Sequence, residues 1–309
     1  MIPATRRAWT IRDPYTGPRP DPSQRLISVT NLINPPRMIR LTALHRDELP
    51  PEEPGIDTWK LLGTAVHAAM EQAAESLKTR LAIREIDERD FRAPLLVEHR
   101  TETTVNVDGI PWTLSGQLDL LEADGILWDW KVTSAWSVSD GRQGKGEWAS
   151  QLNVLRWLLE RSGAVPRGTV RGLGVWAILR DWSATQARRD EGYPDNQEVA
   201  VPLPIWSESD VDDYILTRLR AHEAARASLP LCTPAERWAK GGGYAVLRSA
   251  KSVRAERIFD RREDAERYRD EILSGKGLIE ERSGTSVRCG RFCRVSSFCE
   301  QFKKEKETE

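Results

Sequence analysis

Two aspartates and a lysine within one short segment have the residue types that hydrolytic metal sites use. The segment 116–131 reads GQLDLLEADGILWDWK, which places acids at Asp119 and Asp129 and an amine at Lys131. Carboxylate oxygens are ligands that Mg²⁺ and Mn²⁺ favour. An amine beside such an ion can hold an attacking water or stabilise the negative charge that develops on a phosphate. These three residues therefore indicate a site for metal-dependent hydrolysis.

Whether the two acids meet depends on the register of a β-hairpin. Alternating apolar and polar residues predict strands over Pro111–Leu121 and Ile126–Val132. A three-residue loop ending at Gly125, with that glycine left-handed, places Asp119 directly opposite Asp129, with their Cβ atoms about 5 Å apart. A two-residue loop would put the two aspartates on opposite faces. We predict the three-residue loop.

The same register assigns the neighbouring side chains to faces. Because side chains alternate along a strand, Lys131 shares the face of the aspartates and lies opposite Gln117, while Trp128 and Trp130 point to the other face, into the core. Two facing carboxylates repel unless a cation neutralises them. The alternative is a solvated hairpin face that carries one acidic pair and a lysine.

Two helices flank this hairpin in the sequence. Helical spacing of apolar residues predicts helices over Thr58–Leu77 and Trp148–Glu160. His67 follows Gly63 by one turn, and we expect that glycine to let the helix approach another backbone. His67 could supply an imidazole ligand, or it could be a hydrogen-bonded core histidine. Gln151 lies on the buried side of its helix and needs a partner, which could be a water, the lysine, a phosphate or a backbone carbonyl.

The order of the elements predicts an α/β fold with a mixed central sheet flanked by helices. Further elements are predicted as three strands and two helices: strands at Leu95–Val107, Thr169–Leu179 and Glu198–Leu203, and helices at Ser209–Ala227 and Arg262–Ile272. We expect an N-terminal arm with a short helix over 1–57, a core domain over 58–230 and a small cysteine-bearing subdomain over 231–309.

The composition is that of a soluble globular protein. The chain has 309 residues, 30% of them charged, and a formal net charge of -1, so any attraction to nucleic acid must be local. No apolar run approaches the roughly 20 residues that span a bilayer, and the N-terminus lacks an apolar secretory segment. We expect a cytoplasmic protein, with no membrane partner. Of its twelve tryptophans we expect most to pack internally and a few to stack on bases.

Four sequence elements, taken in order, resemble the RecB-like branch of the PD-(D/E)XK nuclease superfamily. The matching elements are Gly63-x-x-x-His67, Gly116-x-x-Asp119, Asp129-x-Lys131 and Gln151. The chain departs from the pattern twice. Asp129 stands where many members have glutamate, and Leu155 stands where many have a tyrosine.

The resemblance implies a restriction-endonuclease-like core and a residue-by-residue assignment. It implies that His67, Asp119, Asp129 and the backbone carbonyl of Trp130 bind Mg²⁺ or Mn²⁺. It implies that Lys131 activates water for hydrolysis. It also implies that Gln151, on the helix that follows, supports the catalytic site. Glu98, in the first strand, could be an additional acid that supports the site, but the favoured interpretation is an ordinary surface residue.

The four cysteines lie in the last third of the chain, at Cys232, Cys289, Cys293 and Cys299. In a cytoplasmic protein such clustering favours metal binding over disulfides. A 4Fe–4S cluster matches four thiolates without a nearby histidine. A Zn²⁺ ion has the same ligand count, and free buried cysteines are the third interpretation. Fe–S-bearing members of the branch usually have Cys-x2-Cys-x5-Cys with the first cysteine upstream of the histidine, and this chain departs from both features.

The sequence therefore predicts a metal-dependent DNA exonuclease of DNA recombination, repair or phage DNA processing, acting in the host cytoplasm if phage-encoded. Two alternatives remain. The first is a non-catalytic nucleic-acid-binding module that carries an Fe–S or zinc centre. The second is the nuclease subunit of a complex with a helicase, a recombinase or a single-strand-binding protein, because the chain has no phosphate-binding P-loop of its own.

Overall fold

The computed structural model describes residues 17–49, 58–87, 89, 91–139, 144–252, 254–259, 261–282 and 284–308. The chain divides into two compact units, the first comprising Met1–Ile33 and Pro50–Glu223 and the second Asn34–Leu49 and Ala224–Glu309. The second unit thus contains the predicted cysteine-bearing segment together with residues 34–49, which the sequence analysis assigned to the N-terminal arm. Within the described residues, no helix has both the length and the apolar character that crossing a bilayer requires.

The strands of the described residues are β1 (Leu26–Ser28), β2 (Pro94–Val97), β3 (Arg100–Val107), β4 (Ile110–Gln117), β5 (Leu120–Glu122), β6 (Ile126–Thr133), β7 (Gly172–Leu179), β8 (Glu198–Leu203), β9 (Ala239–Lys240), β10 (Gly243–Leu247), β11 (Arg257–Phe259), β12 (Leu278–Arg282) and β13 (Thr285–Ser286). The helices are α1 (Val29–Ile33), α2 (Pro36–Leu44), α3 (Thr58–Ala82), α4 (Gly146–Arg161), α5 (Ala184–Ala187), α6 (Glu208–Ala227), α7 (Arg262–Ile272), α8 (Val287–Arg291) and α9 (Glu300–Thr308). Short 3-10 turns lie at Arg46–Glu48, Ala135–Ser137 and Ser296–Phe298.

The first unit is α/β, as predicted, and contains two sheets. The larger sheet has the order β2-β5-β6-β7-β8, in which β6 and β7 are parallel and the other neighbours are antiparallel. Helix α4 connects the two parallel strands, as a crossover between parallel neighbours requires. The smaller sheet has the order β1-β4-β3, with β1 parallel to β4. The prediction of a mixed sheet flanked by helices is confirmed.

Two strands that the sequence predicted as continuous are bent at the same level. The predicted strand Leu95–Val107 divides into β2 and β3, and Pro111–Leu121 divides into β4 and β5, so the chain changes sheets twice. The bend is held by backbone hydrogen bonds from the Glu98 N–H to the Asp119 carbonyl at 2.9 Å and from the Leu118 N–H to the His99 carbonyl at 3.0 Å. Glu98 has a φ of 43°, a left-handed value that ends the regular strand.

The hairpin between β5 and β6 has the predicted register. Leu120 pairs with Trp128 and Leu121 pairs with Leu127, which brings Asp119 into line with Asp129. Gly125 has the left-handed φ of 86° that the three-residue loop requires. The register beyond this point is different from the prediction. Lys131 does not face Gln117, because that glutamine pairs with Arg100 in the smaller sheet.

The tryptophans of β6 do not point into the core as predicted. Leu127 and Asp129 are buried, whereas Trp128 and Trp130 on the opposite face are half-buried. The indole N–H of Trp128 donates to the Glu122 carboxylate at 2.9 Å. A partly exposed position lets the indole N–H reach a polar partner, whereas a leucine has no polar group to satisfy. The core and the aspartates therefore share one side of β6.

Helix α4 packs on the side of the sheets that carries Asp129. Its buried face includes Leu152, Leu155 and Leu158. Gly116 in β4 permits the close packing, since a Cβ there would lie 2.6 Å from Leu155 Cδ2. Gly63, in contrast, has no described atom within 4 Å of where its Cβ would stand. The prediction that Gly63 lets its helix approach another backbone is therefore wrong for the described residues.

The second unit contains small antiparallel sheets and a separate apolar cluster. Strands β11, β10 and β12 form one sheet, and β9 pairs with β13. Leu41, Val295 and Cys299 form the buried centre of the cluster, which also includes Phe298 and Phe302. Helix α7 occupies the residues predicted for it.

Candidate metal centre

Three side chains from different elements converge at the bend between the two sheets. His67 comes from helix α3, Glu98 from the end of β2, and Asp119 from the link between β4 and β5. The His67 Nδ1 atom lies 3.5 Å from Glu98 Oε1 and 3.5 Å from Asp119 Oδ1. One ligand atom of each residue lies within 4.8 Å of the others, so a single ion could contact all three. The bend in both strands is what positions the two acids.

Glu98 is part of this cluster, and its interpretation as an ordinary surface residue is wrong. Its side chain is only 18% exposed, and its Oε2 accepts a hydrogen bond from Gln117 Nε2 at 2.6 Å. Gln117 in turn accepts from Arg100 at 2.6 Å. Glu98 enters the cluster because its backbone is left-handed, a conformation that glutamate rarely adopts. The residue type alone does not predict that conformation.

Burial and a neighbouring charge perturb Asp119 strongly. Desolvation and the negative charge of Asp129 raise the pKa of Asp119 to about 7, although His67 and Lys131 act in the opposite direction. Burial lowers the pKa of His67, but the Glu98 hydrogen bond and the nearby carboxylates raise it on balance. The site therefore holds more negative charge than its own residues neutralise, which is the electrostatic condition for binding a cation.

Asp129 is held in place by two neighbours. Gln151 Nε2 donates to its Oδ1 at 3.1 Å, and Lys131 Nζ lies 2.5 Å from its Oδ2. This contact pairs the lysine ammonium with a buried carboxylate oxygen. The pKa of Lys131 is lowered by burial but raised more by Asp129 and Asp119, so the amine stays protonated. Gln151 thus has a carboxylate as its partner, which the sequence analysis did not consider.

The backbone of Trp130 also faces the cluster. Its N–H donates to Asp119 Oδ2 at 2.8 Å. In a strand, the N–H and the C=O of one residue point to the same edge. The Trp130 carbonyl therefore points to the edge where Asp119 lies, and it could act as a neutral oxygen ligand.

The donor set suits a hard divalent cation with some affinity for nitrogen. It offers carboxylate oxygens, one imidazole nitrogen and one carbonyl oxygen, the combination that fits Mn²⁺ or Mg²⁺. The structure brings His67, Asp119, Asp129, Lys131 and Gln151 together, and it adds Glu98 to that set.

Comparisons with known proteins do not name a family. No family model matches the chain, and no curated protein matches it. A solved structure with similarity to the chain is the crystal structure of SSO0001, which is 16% identical and covers 70% of this chain and 81% of that chain with a TM-score of 0.43. A likeness of that size supports no argument about function.

The second unit contains a separate cluster of thiols. Cys232, Cys289, Cys293 and Cys299 line one cavity and form no disulfide. Burial, with the charges of neighbouring groups, raises the pKa of Cys232 to about 12 and that of Cys289 to about 11. Gln301 fixes Cys232 by accepting from its N–H at 2.8 Å and donating to its carbonyl at 2.9 Å.

The spacing of these thiols bears on what they could bind. Among the described residues, no three cysteine sulfurs lie within 4.8 Å of one another. Sulfurs about 2.3 Å from a single tetrahedral zinc would lie roughly 3.8 Å apart. The four thiols line one cavity, and either a zinc ion or an iron–sulfur cluster would take four such ligands.

Proposed function

We propose that this protein is a Mg²⁺- or Mn²⁺-dependent deoxyribonuclease with a restriction-endonuclease-like core. The observation that carries the proposal is the convergence of His67, Glu98 and Asp119 beside Asp129, whose carboxylate contacts Lys131. The sequence resemblance predicts the same site apart from Glu98. The product chemistry would be hydrolysis of a phosphodiester, and an exonuclease of DNA recombination, repair or phage DNA processing fits the resemblance.

The residues divide the work of hydrolysis among themselves. A bound ion would supply positive charge to the scissile phosphate and lower the pKa of a water molecule. Lys131, held against Asp129 at 2.5 Å, would orient the attacking water and stabilise charge on the phosphate. Gln151 keeps Asp129 in place through Oδ1, while Oδ2 contacts Lys131. Leu155, at the position where relatives have tyrosine, is buried and supplies packing only.

We propose a 4Fe–4S cluster for the four cysteines, with Zn²⁺ as the alternative. Four thiols line one cavity in the second unit, and four is the number of thiolates that such a cluster takes. A structural role is the simplest one, because the bound group would connect the segment around Cys232 to the segment that contains Cys289, Cys293 and Cys299. Redox catalysis is not part of the proposal.

The partner in this proposal is DNA in the cytoplasm. A helicase, a recombinase or a single-strand-binding protein would be a second partner if the chain is a nuclease subunit. A non-catalytic nucleic-acid-binding module is the alternative function. It would bind DNA but would not degrade it when Mn²⁺ is added, so one metal-dependent assay separates the two functions.

The test compares DNA cleavage by the parent protein with cleavage by variants of three residues of the hairpin, Asp119, Lys131 and Asp124. End-labelled single- and double-stranded DNA is incubated with the parent protein in Mn²⁺, Mg²⁺ or EDTA. D119N and K131A should lose cleavage by at least 100-fold while retaining DNA binding. D124N is the matched control, because Asp124 lies at the tip of the same hairpin and pairs with Arg92 at 2.8 Å, outside the site. Cleavage by D119N and K131A at the parental rate would refute the assignment.

A further inference from the structure

A cation and an aromatic ring form an exposed pair on the first unit. The Arg180 guanidinium carbon lies 4.5 Å from the centroid of the Trp59 ring. Trp59 is 51% exposed, and Arg180 is also exposed. A tryptophan that leaves half of its surface in water loses hydrophobic stabilisation, and the arginine contact holds the ring in a fixed orientation. The pair is a preorganised stacking surface rather than a part of the core.

The pair lies on the elements that carry the candidate metal centre. Trp59 is in helix α3, two turns and about 12 Å before His67. The Arg180 N–H donates to the Thr133 carbonyl at 2.9 Å, and Thr133 lies two residues after Lys131 on β6. At about 3.3 Å per strand residue, the backbone at Arg180 is within roughly 7 Å of the level of Lys131. One nucleotide of an extended strand covers about that distance.

A second exposed ring and a third cation lie beside them. Trp136 is 60% exposed, in the turn after β6. The backbone N–H that precedes it, at Ala135, donates to Asp181 Oδ1 at 2.7 Å, so this turn is fixed next to Arg180. Lys145, at the start of helix α4, has its pKa lowered by burial and by the positive charges of Arg180 and Lys131. Arg180 and Lys131 are thus near enough to Lys145 to act on it electrostatically, and Glu147 acts in the opposite direction.

We propose that Trp59, Trp136 and Arg180 form a binding surface for single-stranded DNA that leads its backbone to the metal centre. This substrate assignment rests on the proposed nuclease function. Exposed rings stack on bases of any sequence, and the cations complement the phosphates. Bases inside a duplex are stacked on one another and cannot reach the rings. The surface therefore selects single strands, or the unpaired end of a duplex, over intact duplex DNA.

The test measures binding separately from cleavage. Fluorescence anisotropy of labelled oligo-dT and of a blunt duplex is recorded with the full chain in EDTA. W59A should weaken oligo-dT binding roughly 5- to 100-fold. R180A should reduce the slope of log Kd against log salt concentration by about 1. Duplex binding should change less than 2-fold. F91A and R161A are matched controls: Phe91 is similarly exposed, and Arg161 covers a tryptophan elsewhere, at 5.9 Å from the Trp157 centroid.

The possible outcomes separate the two proposals. Parental oligo-dT affinity in W59A and R180A, or an equal loss on duplex, would refute the binding surface. An oligo-RNA bound as tightly as oligo-dT, with the same loss in W59A, would refute the assignment to DNA. Loss of oligo-dT binding in W59A together with a parent protein that never cleaves DNA in Mn²⁺ would support the surface and refute the nuclease.

Arg37, in the second unit, supports a second and independent inference. Its side chain is only 6% exposed. Its Nε donates to Cys299 Sγ at 3.1 Å, and its Nη1 donates to the carbonyls of Leu229 and Pro230 at 3.3 Å each. Among the described residues, none of the ion pairs involves Arg37, although the exposed Glu300 carboxylate interacts with it electrostatically. A buried guanidinium without a paired carboxylate is costly unless another anion is close.

We infer that Arg37 is the counter-charge of the metal group held by the four cysteines. Four thiolates around a divalent core, either a 4Fe–4S cluster or Zn²⁺, carry a net charge of about -2. The guanidinium would neutralise half of that charge and donate an N–H···S hydrogen bond to one ligand. Such bonds stabilise the more negative, reduced form of a cluster and raise its reduction potential. Arg37 is thus a positioning residue of the proposed cofactor site.

The test uses metal content and potential rather than activity. Parent, R37K, R37M and R46M proteins are purified without oxygen and assayed for iron, sulfide and zinc, and the midpoint potential is measured by redox titration. R37M should lose metal faster and have a more negative potential, R37K should be intermediate, and R46M should match the parent because Arg46 is exposed in the same segment. Faster zinc release to a chelator replaces the potential if zinc is found. If the parent binds metal and R37M has the same metal content and potential, the role of Arg37 is refuted. If the parent binds neither iron nor zinc, the cofactor itself is refuted.

Discussion

Replacing Asp119 by asparagine should make the metal-free protein more stable, although it removes the proposed activity. Burial and the Asp129 charge raise the folded-state pKa of Asp119 from 3.8 to about 7. Ionising the buried Asp119 costs the folded state free energy. This cost is absent below pH 3.8, grows between pH 3.8 and 7, and is constant above that. A shift of this size corresponds to about 4 kcal/mol at pH 8. Asparagine avoids the penalty and still accepts the hydrogen bond from the Trp130 N–H.

The expected gain is smaller than the full shift, because water and side-chain relaxation screen charges in real interiors. We expect D119N to increase the free energy of unfolding by roughly 2–4 kcal/mol at pH 8 in EDTA, and the melting temperature by about 4–12 °C. At pH 4 the gain should disappear. Adding Mn²⁺ should stabilise the parent far more than D119N, because only the parent has its full ligand set.

Denaturant and thermal melts at pH 4, 6 and 8, with EDTA or Mn²⁺, measure these differences. D124N is the control, and its stability should stay within about 0.5 kcal/mol of the parent because Asp124 lies at the loop and not in the cluster. A D119N protein that melts below the parent at pH 8 in EDTA, or that gains equally at pH 4 and pH 8, would show that the acids do not repel as described.

Three other substitutions address separate features. His222, which contacts the Leu32 carbonyl at 3.1 Å, has its pKa lowered to about 4 by burial; the parent should lose up to about 3 kcal/mol of stability from pH 6.5 to 4, and H222Q much less, by urea melts. G125A should cost roughly 1–3 kcal/mol in the same melts, because φ is 86° and its Cβ would lie 2.4 Å from a carbonyl oxygen; an unchanged midpoint would contradict the loop conformation. Q151A should slow DNA cleavage 10- to 100-fold through the lost support of Asp129, with a melting temperature within about 3 °C of the parent; an unaffected rate would exclude that support.

The sequence predicts the β5–β6 hairpin well because its determinants are local. Side chains alternate with a period of two, and Gly125 permits the left-handed loop that sets the register. Asp119 and Asp129 therefore align as expected. His67 and Gln151 also follow from helical spacing, since the predicted helices contain both residues.

The features that the sequence does not reveal depend on distant parts of the chain. Glu98 enters the site because β2 and β4 bend at the same level, which requires pairing between segments some 20 residues apart. Arg37 reaches Cys299 across 262 positions. Alternation places Trp128 and Trp130 opposite Asp129, as the structure does, but it does not tell which face the core covers, and the indole N–H of Trp128 donates to the Glu122 carboxylate. Local pattern does not encode any of these.

The double bend at Glu98 and Asp119 both links the two sheets and carries two acids of the candidate metal centre. Two of the proposed acidic ligands, Glu98 and Asp119, lie where the chain crosses between the smaller and the larger sheet, and two backbone hydrogen bonds join the crossing segments. An ion bound at this bend would restrain the two sheets relative to each other. Exchange of the Glu98 and Leu118 amides, which donate those two bonds, would then slow when Mn²⁺ is added, so that ion binding could be followed by hydrogen exchange.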